Sequence, residues 1–444
     1  MRNSVDIAPL WGRMNAAMNT SVNYIPRVAD EALPFRLSAC GALVIAGAKW
    51  CGKSTTAARY ANTIVELQDS GTNQQNIELA KTYPSRFLDK PTPMLIDEWQ
   101  IVPSLWDAIR NTVDKRGEFG QFLLAGSSVP PDKKKILHSG AGRFSTFTMR
   151  PMSLWESGES NGAVSLRDLF DGNSDIYGEN QTDLDQYAYA ICRGGWPLTV
   201  RQSPRVALRL VRDFYTTLVN SDMSRYDGVK RSPARVRLLM RAYARAISTF
   251  TKYSTMILDM RENDAGRIDR ATIADYIDAL KGLYIIEDLP TWNPDFRART
   301  TLRMTDKRHF VDPSICCAAL SLTPERLLED LHGMGLLFES LAVRDLRVYA
   351  EALEGEVFQY HDANGLEADA VMQLFDGRYA LFEVKMSSSE HIEEGARTLK
   401  KIVERIDVER MGRKPSFLAV LTTTSVAYRR PDGVLVLPLA TLRA

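Results

Sequence analysis

Residues 47–54, Gly-Ala-Lys-Trp-Cys-Gly-Lys-Ser, combine glycines, a lysine and a hydroxyl at a spacing suited to holding phosphate groups. The apolar run ALVIAGA leads into them and a helical pattern follows, which is the strand–loop–helix context that this spacing requires. Glycines let the loop wrap around phosphates, and amides at a helix start point at an anion. We expect Lys53 to reach the β- and γ-phosphates of ATP and Ser54 to contact Mg²⁺. The predicted nucleotide contacts are Gly47, Ala48, Lys49, Trp50, Cys51, Gly52, Lys53, Ser54 and Thr55.

The segment PMLIDEW, residues 93–99, offers carboxylates to the same site. Its apolar residues end in Asp97 and Glu98, as expected at the carboxyl end of a buried strand. An aspartate there can hold Mg²⁺ through water. The adjacent glutamate can polarise the attacking water and is the predicted catalytic residue. A strand that simply ends in an acidic turn is the alternative.

Two further features are candidates for contact with the nucleotide. The segment FLLAGSS, residues 122–128, predicts a strand beside that of Asp97, and Ser127 or Ser128 at its end could sense the γ-phosphate. An ordinary cap after a strand explains these serines equally well. Arg143 could be a sensor, or a finger toward the phosphate of a neighbouring subunit. A surface arginine is the simpler interpretation.

The composition is that of a globular protein with several domains. The 444-residue chain is 45% hydrophobic and 25% charged with a net charge of +1, so any nucleic-acid contact must come from a local patch. Five scattered cysteines without a CxxC pair argue against a disulfide framework and a zinc site. Neither a membrane-length apolar run nor a secretory hydrophobic region is present, which predicts a cytoplasmic protein without membrane contact.

The elements that must position these residues predict an α/β fold. Strand-like and helical runs alternate between residues 41 and 150, which favours a parallel sheet covered by helices. Residues 157–182 are rich in Ser, Gly, Asn and Asp, which is typical of an exposed insertion or linker. The predicted domains are a helical segment (1–40), a nucleotide-binding core (41–156), an insertion and helical lid (157–215), a winged-helix-like region (216–310) and a mixed α/β domain (311–444).

A helix with arginines along one face is predicted in the middle of the chain. Arg237, Arg241 and Arg245 lie opposite its apolar face, one per turn. A second helical pattern, a strand and a charged hairpin follow, and this order is typical of a winged helix. Such modules place a helix in the major groove of DNA and the wing on phosphates, or they connect proteins rigidly. A solvated arginine face is the remaining alternative.

The strand ALFEVK near the C-terminus places Glu383 and Lys385 two residues apart. Asp369 begins the preceding predicted strand, and Glu339 lies beside the apolar stripe of a predicted helix. An acid on a helix, an acid on a strand and Glu-x-Lys on the next strand form the pattern of metal-dependent PD-(D/E)XK nucleases. In that chemistry carboxylates bind Mg²⁺, which acidifies a bound water that the lysine orients. The alternatives are a solvated edge strand and a fold that has lost its chemistry.

This second site depends on the loop around Asp376 and Gly377. A two-residue loop would put Asp369 on the face of Val384 and separate it from Glu383. A three-residue loop would put Asp369 and Glu383 on one face together with Lys385. The sequence does not decide between the two registers.

Several segments also resemble a known family when they are taken together. They are YIPRVADEAL, GAKWCGKSTTA, LIDEWQ, GRFSTFTMRPMSLWE, RGGWP (193–197) and HFVDPSI (309–315). The combination resembles a bacterial and archaeal family that joins an AAA-type ATPase domain to a C-terminal domain of unknown function related to restriction endonuclease folds. The resemblance covers nearly the whole chain. The P-loop motifs are specific only to a superfamily, and RGGWP and HFVDPSI are the segments that indicate this family within it. It implies an ATP-binding core, a winged-helix-like middle and a nuclease-like C-terminal domain, but no known substrate.

Two functions remain open at this stage. The first is a cytoplasmic ATPase coupled to a DNA-directed domain, in which Asp369, Glu383 and Lys385 are catalytic and Glu339 helps the two acids to bind metal. The second is a nucleotide-gated switch whose C-terminal domain binds a protein partner or another copy and cleaves nothing. The near-zero net charge slightly favours the switch, and the acidic set favours the nuclease.

Overall fold

The chain divides into two compact units, Met1–Met149 and Arg150–Ala444. All five cysteines are buried free thiols, in agreement with the lack of a paired cysteine pattern. The computed structural model describes residues 24–128, 140–173, 175–263, 270–293, 305–362, 364–386, 388–406 and 413–444. Within these ranges no helix has the length and apolar character needed to cross a membrane.

The first unit is a parallel sheet with helices around it, as the alternating pattern predicts. Its described elements are α1 (Ala29–Ser38), β1 (Ala42–Ala46), α2 (Lys53–Ala58), β2 (Thr63–Glu66), α3 (Asn73–Thr82), α4 (Pro84–Phe87), β3 (Met94–Asp97), a 3₁₀ turn (Trp99–Ile101), α5 (Leu105–Arg116), β4 (Phe122–Gly126) and β5 (Phe144–Thr148). Residues 1–23 of the predicted N-terminal helical segment lie outside the described ranges.

The strand order of this sheet brings the candidate residues to one edge. The order is β2-β3-β4-β1-β5 with every neighbouring pair parallel. β4 therefore lies beside β3, as the sequence predicts, and also beside β1. β1 and β4 are buried along their whole length, because both faces of a parallel sheet are covered. The carboxyl ends of β1, β3 and β4 meet at the same edge.

The second unit joins a helical region to a mixed sheet. Its first described elements are α6 (Leu154–Ser157), β6 (Val164–Ser165), α7 (Leu166–Phe170), β7 (Gly178–Glu179), α8 (Leu184–Arg193), α9 (Pro197–Val200), α10 (Pro204–Thr217), a π-helical turn (Leu218–Asp222), α11 (Met223–Arg225), α12 (Pro233–Arg245), α13 (Tyr253–Asn263), α14 (Arg270–Gly282), α15 (Pro313–Leu320) and α16 (Pro324–Glu329). They are followed by α17 (Leu331–Ala352), β8 (Gly355–His361), β9 (Glu367–Leu374), β10 (Tyr379–Lys385), α18 (Ser389–Arg405), β11 (Phe417–Thr422), β12 (Val426–Arg429), β13 (Leu435–Pro438), a 3₁₀ turn (Leu439–Thr441) and β14 (Leu442–Arg443).

The C-terminal elements follow the sequence pattern closely. The sequence predicts a helix at residues 334–353 and strands near 356–361, 367–375, 379–386, 416–422 and 433–438. Helix α17 and strands β8 to β11 and β13 occupy these segments, because each has a continuous or alternating apolar face. β12 was not predicted, since only Ala427 of its residues is buried. The seven-stranded sheet has the order β7-β12-β13-β11-β10-β9-β8.

The polar segment predicted as an exposed insertion is part of this second unit. Its strand β7 pairs with β12 at the edge of the large sheet. The following helix α8 begins with a capping box formed by Asp183 and Gln186 and packs against α16 and α17. The predicted domains 157–215, 216–310 and 311–444 therefore lie together in one compact unit.

The predicted winged helix is represented by helices and two isolated bridges. After α12, α13 and α14 the chain forms antiparallel bridges between Ile286 and Phe310 and between Leu289 and Lys307. Residues 294–304, at the tip of the predicted hairpin, lie outside the described ranges. The winged-helix assignment stays a prediction.

The motifs RGGWP and HFVDPSI form one buried network around Asp312. Its carboxylate accepts hydrogen bonds from the backbone of Gly195 at 3.0 Å and from the Arg344 guanidinium at 3.0 Å. It also accepts the backbone N–H of Ser314 at 2.9 Å and so caps α15. The Ser314 hydroxyl in turn accepts the indole N–H of Trp196 at 2.9 Å. Two segments distant in sequence are thereby held by one carboxylate.

Replacing Asp312 with Ala should destabilise the second unit by about 3–5 kcal/mol, because a buried arginine loses a partner and a helix loses its cap. Urea unfolding of the full chain, followed by circular dichroism, measures this loss. The matched control is Asp213→Ala, which removes an exposed pair with Arg209 and should cost less than about 1 kcal/mol. Equal unfolding midpoints for the two variants would contradict the structural role of Asp312.

Candidate functional site

The loop between β1 and α2, residues 47–54, is the predicted phosphate-binding loop, or phosphate-type loop, and two glycines shape it. Gly47 has φ 150°, and a Cβ there would lie 2.0 Å from the backbone oxygen of Met149, so only glycine fits. Gly52 has φ 95° and precedes the first residue of α2. Both conformations are in the region that side chains disfavour, which explains the glycine spacing of this loop. Lys53 is buried, and its ammonium donates to the backbone oxygen of Ala48 at 2.7 Å.

The predicted magnesium residues lie in direct contact. The Ser54 hydroxyl donates to Oδ1 of Asp97 at 2.8 Å, and the same oxygen accepts the backbone N–H of Glu98 at 3.1 Å. Burial raises the pKa of Asp97, and the bond from Ser54 acts against this rise. A hydroxyl and a carboxylate oxygen beside a phosphate-type loop are hard ligands that fit Mg²⁺. The residues present are therefore compatible with the predicted metal.

Glu98 is held in an unusual conformation beside them. Its φ of 54° is left-handed, which is uncommon for a residue with a side chain and typical of functional positions. Its carboxylate accepts hydrogen bonds from the Ser127 hydroxyl at 2.9 Å and from the Gln100 amide. Ser127, predicted as a phosphate sensor, thus contacts the carboxylate predicted to polarise water.

A contact to this loop from the N-terminal side was missed by sequence reasoning. Arg27 is buried and donates to the backbone oxygen of Cys51 at 2.7 Å. The Tyr24 hydroxyl contacts both the Asp30 carboxylate at 2.9 Å and the Thr56 hydroxyl of α2 at 3.1 Å. The segment YIPRVAD holds the phosphate-type loop from outside. The sequence of this segment contains Tyr24 and Arg27 but no spacing pattern that links them to the loop.

Arg143 is not brought to this edge of the sheet. It immediately precedes β5, and its backbone oxygen accepts the N–H groups of Gly41 and Ala42, where β1 begins. Its guanidinium forms an ion pair with Asp114 at 2.7 Å. Because β1 and β5 are parallel, Arg143 lies at the amino edge, opposite the phosphate-type loop. A sensor role for this chain's own nucleotide is therefore incompatible with its position, and a role toward a neighbouring subunit stays a prediction.

In the second unit, the register of β9 and β10 brings two predicted acids together. Phe382 pairs with Ala370, so the next antiparallel pair is Glu383 with Asp369. The connecting loop has three residues, 375–377, because the Leu374 N–H bonds to the Arg378 oxygen. The three-residue loop considered from the sequence was residues 376–378, so the observed loop begins one residue earlier. It also places the two acids on one face of the sheet.

A lysine occupies the centre of this acidic group. The Lys307 ammonium lies 2.7 Å from Glu339, 2.6 Å from Glu367 and 3.0 Å from Asp369, measured to carboxylate oxygens. Its side chain is only 3% exposed. An ammonium surrounded by three carboxylates at these distances takes the place that a metal cation would need. Lys385 pairs separately with Glu383 at 2.7 Å.

Burial and charge act on the pKa values of this group in opposite directions. Burial raises the pKa of Glu339 to about 8, although Lys307 acts against the rise. Burial and then Asp369 raise the pKa of Glu383 well above its usual range. Burial would also raise the pKa of Asp369, but Lys307 and Lys385 hold it below its ordinary value. The carboxylates raise the pKa of Lys307 despite its burial, so this lysine stays charged.

The prediction that Asp369, Glu383 and Glu339 form an open metal site is corrected by this geometry. In the part of the chain that the structure describes, no three His, Cys, Asp or Glu side chains are arranged to hold a metal. Lys307 was missed because it is 62 residues before Asp369 in the sequence and has no periodic relation to it.

The three arginines of the predicted face of α12 have different surroundings. Arg245 is paired with Asp259 at 2.7 Å, because α13 packs beside the end of α12. Arg237 donates to the amide oxygen of Asn220 at 2.6 Å. Arg241 is exposed on the same side as Arg237. The charge of Arg245 is therefore balanced by a neighbouring carboxylate.

Comparison with known proteins supports part of this arrangement. Residues 40–157 match the family model of an AAA domain. Residues 184–326 and 334–442 match two models described as domains of unknown function, DUF8612 and DUF4143. The relationship of the C-terminal part to restriction endonucleases stays a prediction.

Similarity to whole proteins is more distant. No curated protein sequence matches this chain. Among solved structures, the chain is similar to the Walker-type ATPase PABY2304 of Pyrococcus abyssi, with 12% sequence identity and a TM-score of 0.43. That similarity covers 68% of this chain and 97% of the other.

If Lys307 is the resident cation, removing it should create a metal site. In full-length Lys307→Ala, Mn²⁺ should raise the unfolding midpoint, with a gain of about 2.7 kcal/mol at a concentration 100 times the Kd. Any effect of metal at the phosphate-type loop is common to the wild type and the variant, so their difference isolates the second unit.

The control for this titration is Lys400→Ala, an exposed lysine on α18, which should respond to Mn²⁺ as the wild type does. A folded Lys307→Ala variant with the wild-type response to Mn²⁺ would show that the carboxylates do not form a cation site.

Glu339 should make stability depend on pH. Because its folded pKa is about 8 against an ordinary 4.5, its contribution is full below pH 4.5 and is lost as the pH rises through 8. Glu339→Gln resembles the protonated side chain, so its unfolding midpoint should fall less than that of the wild type between about pH 5 and pH 8. Glu404→Gln, at an exposed position, should leave the decline unchanged. If the unfolding midpoint of Glu339→Gln falls between pH 5 and pH 8 as much as that of the wild type, the raised pKa of Glu339 is ruled out as the cause.

Proposed function

We propose that the chain binds ATP with Mg²⁺ at residues 47–54 and hydrolyses it, and that the nucleotide state controls binding by the second unit. One observation carries the hydrolytic part: Ser54 Oγ lies 2.8 Å from Asp97, with Glu98 next in the chain. The hydroxyl and carboxylate that would hold the metal and the carboxylate that would activate water thereby share one edge of the sheet.

Each residue of this edge has a distinct task in the proposed reaction. The Lys53 ammonium would exchange the Ala48 oxygen for phosphate oxygens, where its charge offsets theirs. Mg²⁺, when bound, would neutralise charge on the β- and γ-phosphates. Glu98 would orient the attacking water and take its proton on a carboxylate oxygen. The bonds from Ser127 and Gln100 hold that carboxylate in place.

For the second unit, we favour an interaction module over a metal-dependent nuclease. The position of Lys307 supports this choice, because the carboxylates that would bind catalytic metal already hold its ammonium. In this proposal the predicted nuclease acids surround the ammonium of Lys307 in place of a metal. Mn²⁺-dependent cleavage of DNA by the wild-type chain that is lost in Asp369→Ala would return the nuclease to first place.

Two substitutions separate nucleotide binding from hydrolysis. Glu98→Gln should retain ATP binding and lower phosphate release by about 10²-fold or more, because the water loses its proton acceptor. Lys53→Ala should weaken binding, turnover or both. Phosphate release and the anisotropy of a fluorescent ATP analogue measure the two steps. Glu78→Gln, an exposed change on α3, is the matched control.

The same variants test nucleotide control. ATP should change the hydrogen exchange of amides in residues 150–444 when Glu98→Gln traps the bound state, and should have no such effect in Lys53→Ala. Wild-type turnover in Glu98→Gln would remove Glu98 from catalysis. Exchange in the second unit that does not respond to ATP would leave an ATPase without a switch.

A further inference from the structure

A cavity of about 800 Å³ lies between α10, α12 and the end of α15. Three arginines line it, Arg212 from α10 and Arg237 and Arg241 from α12. The hydroxyl groups of the same wall come from Tyr215, Thr216 and Ser321, and that of Thr216 already donates to the backbone oxygen of Arg212 at 2.8 Å. The described lining residues include no Asp or Glu. The wall therefore concentrates positive charge and hydrogen-bond donors in a concave space.

The nearby acids do not neutralise this charge. Asp213, next to Arg212, forms its described ion pair with Arg209 at 3.0 Å. Arg237 contacts the neutral amide of Asn220. Within the described ranges, none of the three cavity arginines takes part in an ion pair. This differs from Arg245, whose charge is balanced by Asp259.

Tyr215 shows that two of these guanidinium groups converge. Burial raises the pKa of Tyr215, while the charges of Arg237 and Arg241 both act to lower it. An electrostatic effect from both arginines on one phenol oxygen requires both to lie near it. The phenol stays protonated near neutral pH and adds a donor near the two cations.

The chemistry of this wall favours phosphate over carboxylate. A guanidinium fork matches either group, but a carboxylate has two oxygens and is satisfied by one fork. A phosphate group offers up to three acceptor oxygens and a higher charge, so it can use several forks and hydroxyls together. The volume of about 800 Å³ lies within the usual range of ligand sites.

We propose that this cavity binds the phosphate groups of a single nucleic-acid strand or of a small phosphorylated molecule. In the proposed site Arg212 takes the place that Arg245 has in the predicted arginine face. The site is formed within the second unit, and it does not depend on the proposed ATPase.

The test uses the full chain carrying Lys53→Ala, so that the loop at 47–54 does not retain phosphate. Anisotropy of a fluorescein-labelled single-stranded DNA is measured across a series of salt concentrations. Changing Arg212, Arg237 and Arg241 together to Gln should weaken binding at least tenfold. The magnitude of the slope of log K against log salt concentration should fall by about 2, because each of the three lost phosphate contacts contributes about 0.7. The matched control, Arg245→Gln on the same helix, should leave both quantities unchanged, and thermal melting verifies folding of each variant.

Competition with inorganic tripolyphosphate distinguishes the two sources of phosphate. Displacement of the DNA assigns the cavity to small phosphorylated ligands as well, and retention of the DNA assigns it to nucleic acid; either result supports phosphate binding. The proposal is overturned if the triple variant behaves like Arg245→Gln, or if neither probe binds. Arginine-dependent binding of polyglutamate, with no binding of either phosphate probe, would instead assign the surface to an acidic protein.

Discussion

Carboxylates packed into one protein interior repel each other and lose hydration, so they persist only around a cation. In the second unit that cation is the Lys307 ammonium, which contacts Glu339 on α17 and both Glu367 and Asp369 on β9. One side chain thereby connects the bridged segment after α14 to the helix and sheet that follow. The ammonium offsets part of the negative charge of these three acids without a metal.

A fixed ammonium differs from a metal ion in what it does to water. A divalent cation lowers the pKa of a bound water, whereas an ammonium is a donor with no open coordination position. In the interaction module that we propose for the second unit, the acids around Asp369 and Glu383 serve cohesion. The hydrolytic chemistry that we propose belongs to the first unit, where Asp97 and Glu98 end a parallel strand next to the phosphate-type loop.

The first unit uses its topology to connect these residues. With β4 between β1 and β3, Ser127 follows the strand that separates the loop from Glu98 and bonds to the Glu98 carboxylate. Arg27 supports the loop from a segment before the sheet begins. The proposed catalytic edge is thus held by neighbouring strands and by the N-terminal segment.

Local sequence patterns determined the phosphate-type loop and the type of several helices and strands. The glycine spacing of residues 47–54 requires a tight loop, and the apolar stripes of α17, β9 and β10 specify their own type, because both depend on neighbouring residues. The partners of charged groups were decided only by tertiary structure. Lys307 reaches Asp369 across 62 residues, Arg212 joins Arg237 from another helix, and Arg245 is balanced by Asp259 on α13. The β9–β10 register needed the loop itself, since one residue more or less would have moved Asp369 to the other face. Ion pairing depends on distances in space, which a one-dimensional pattern does not contain.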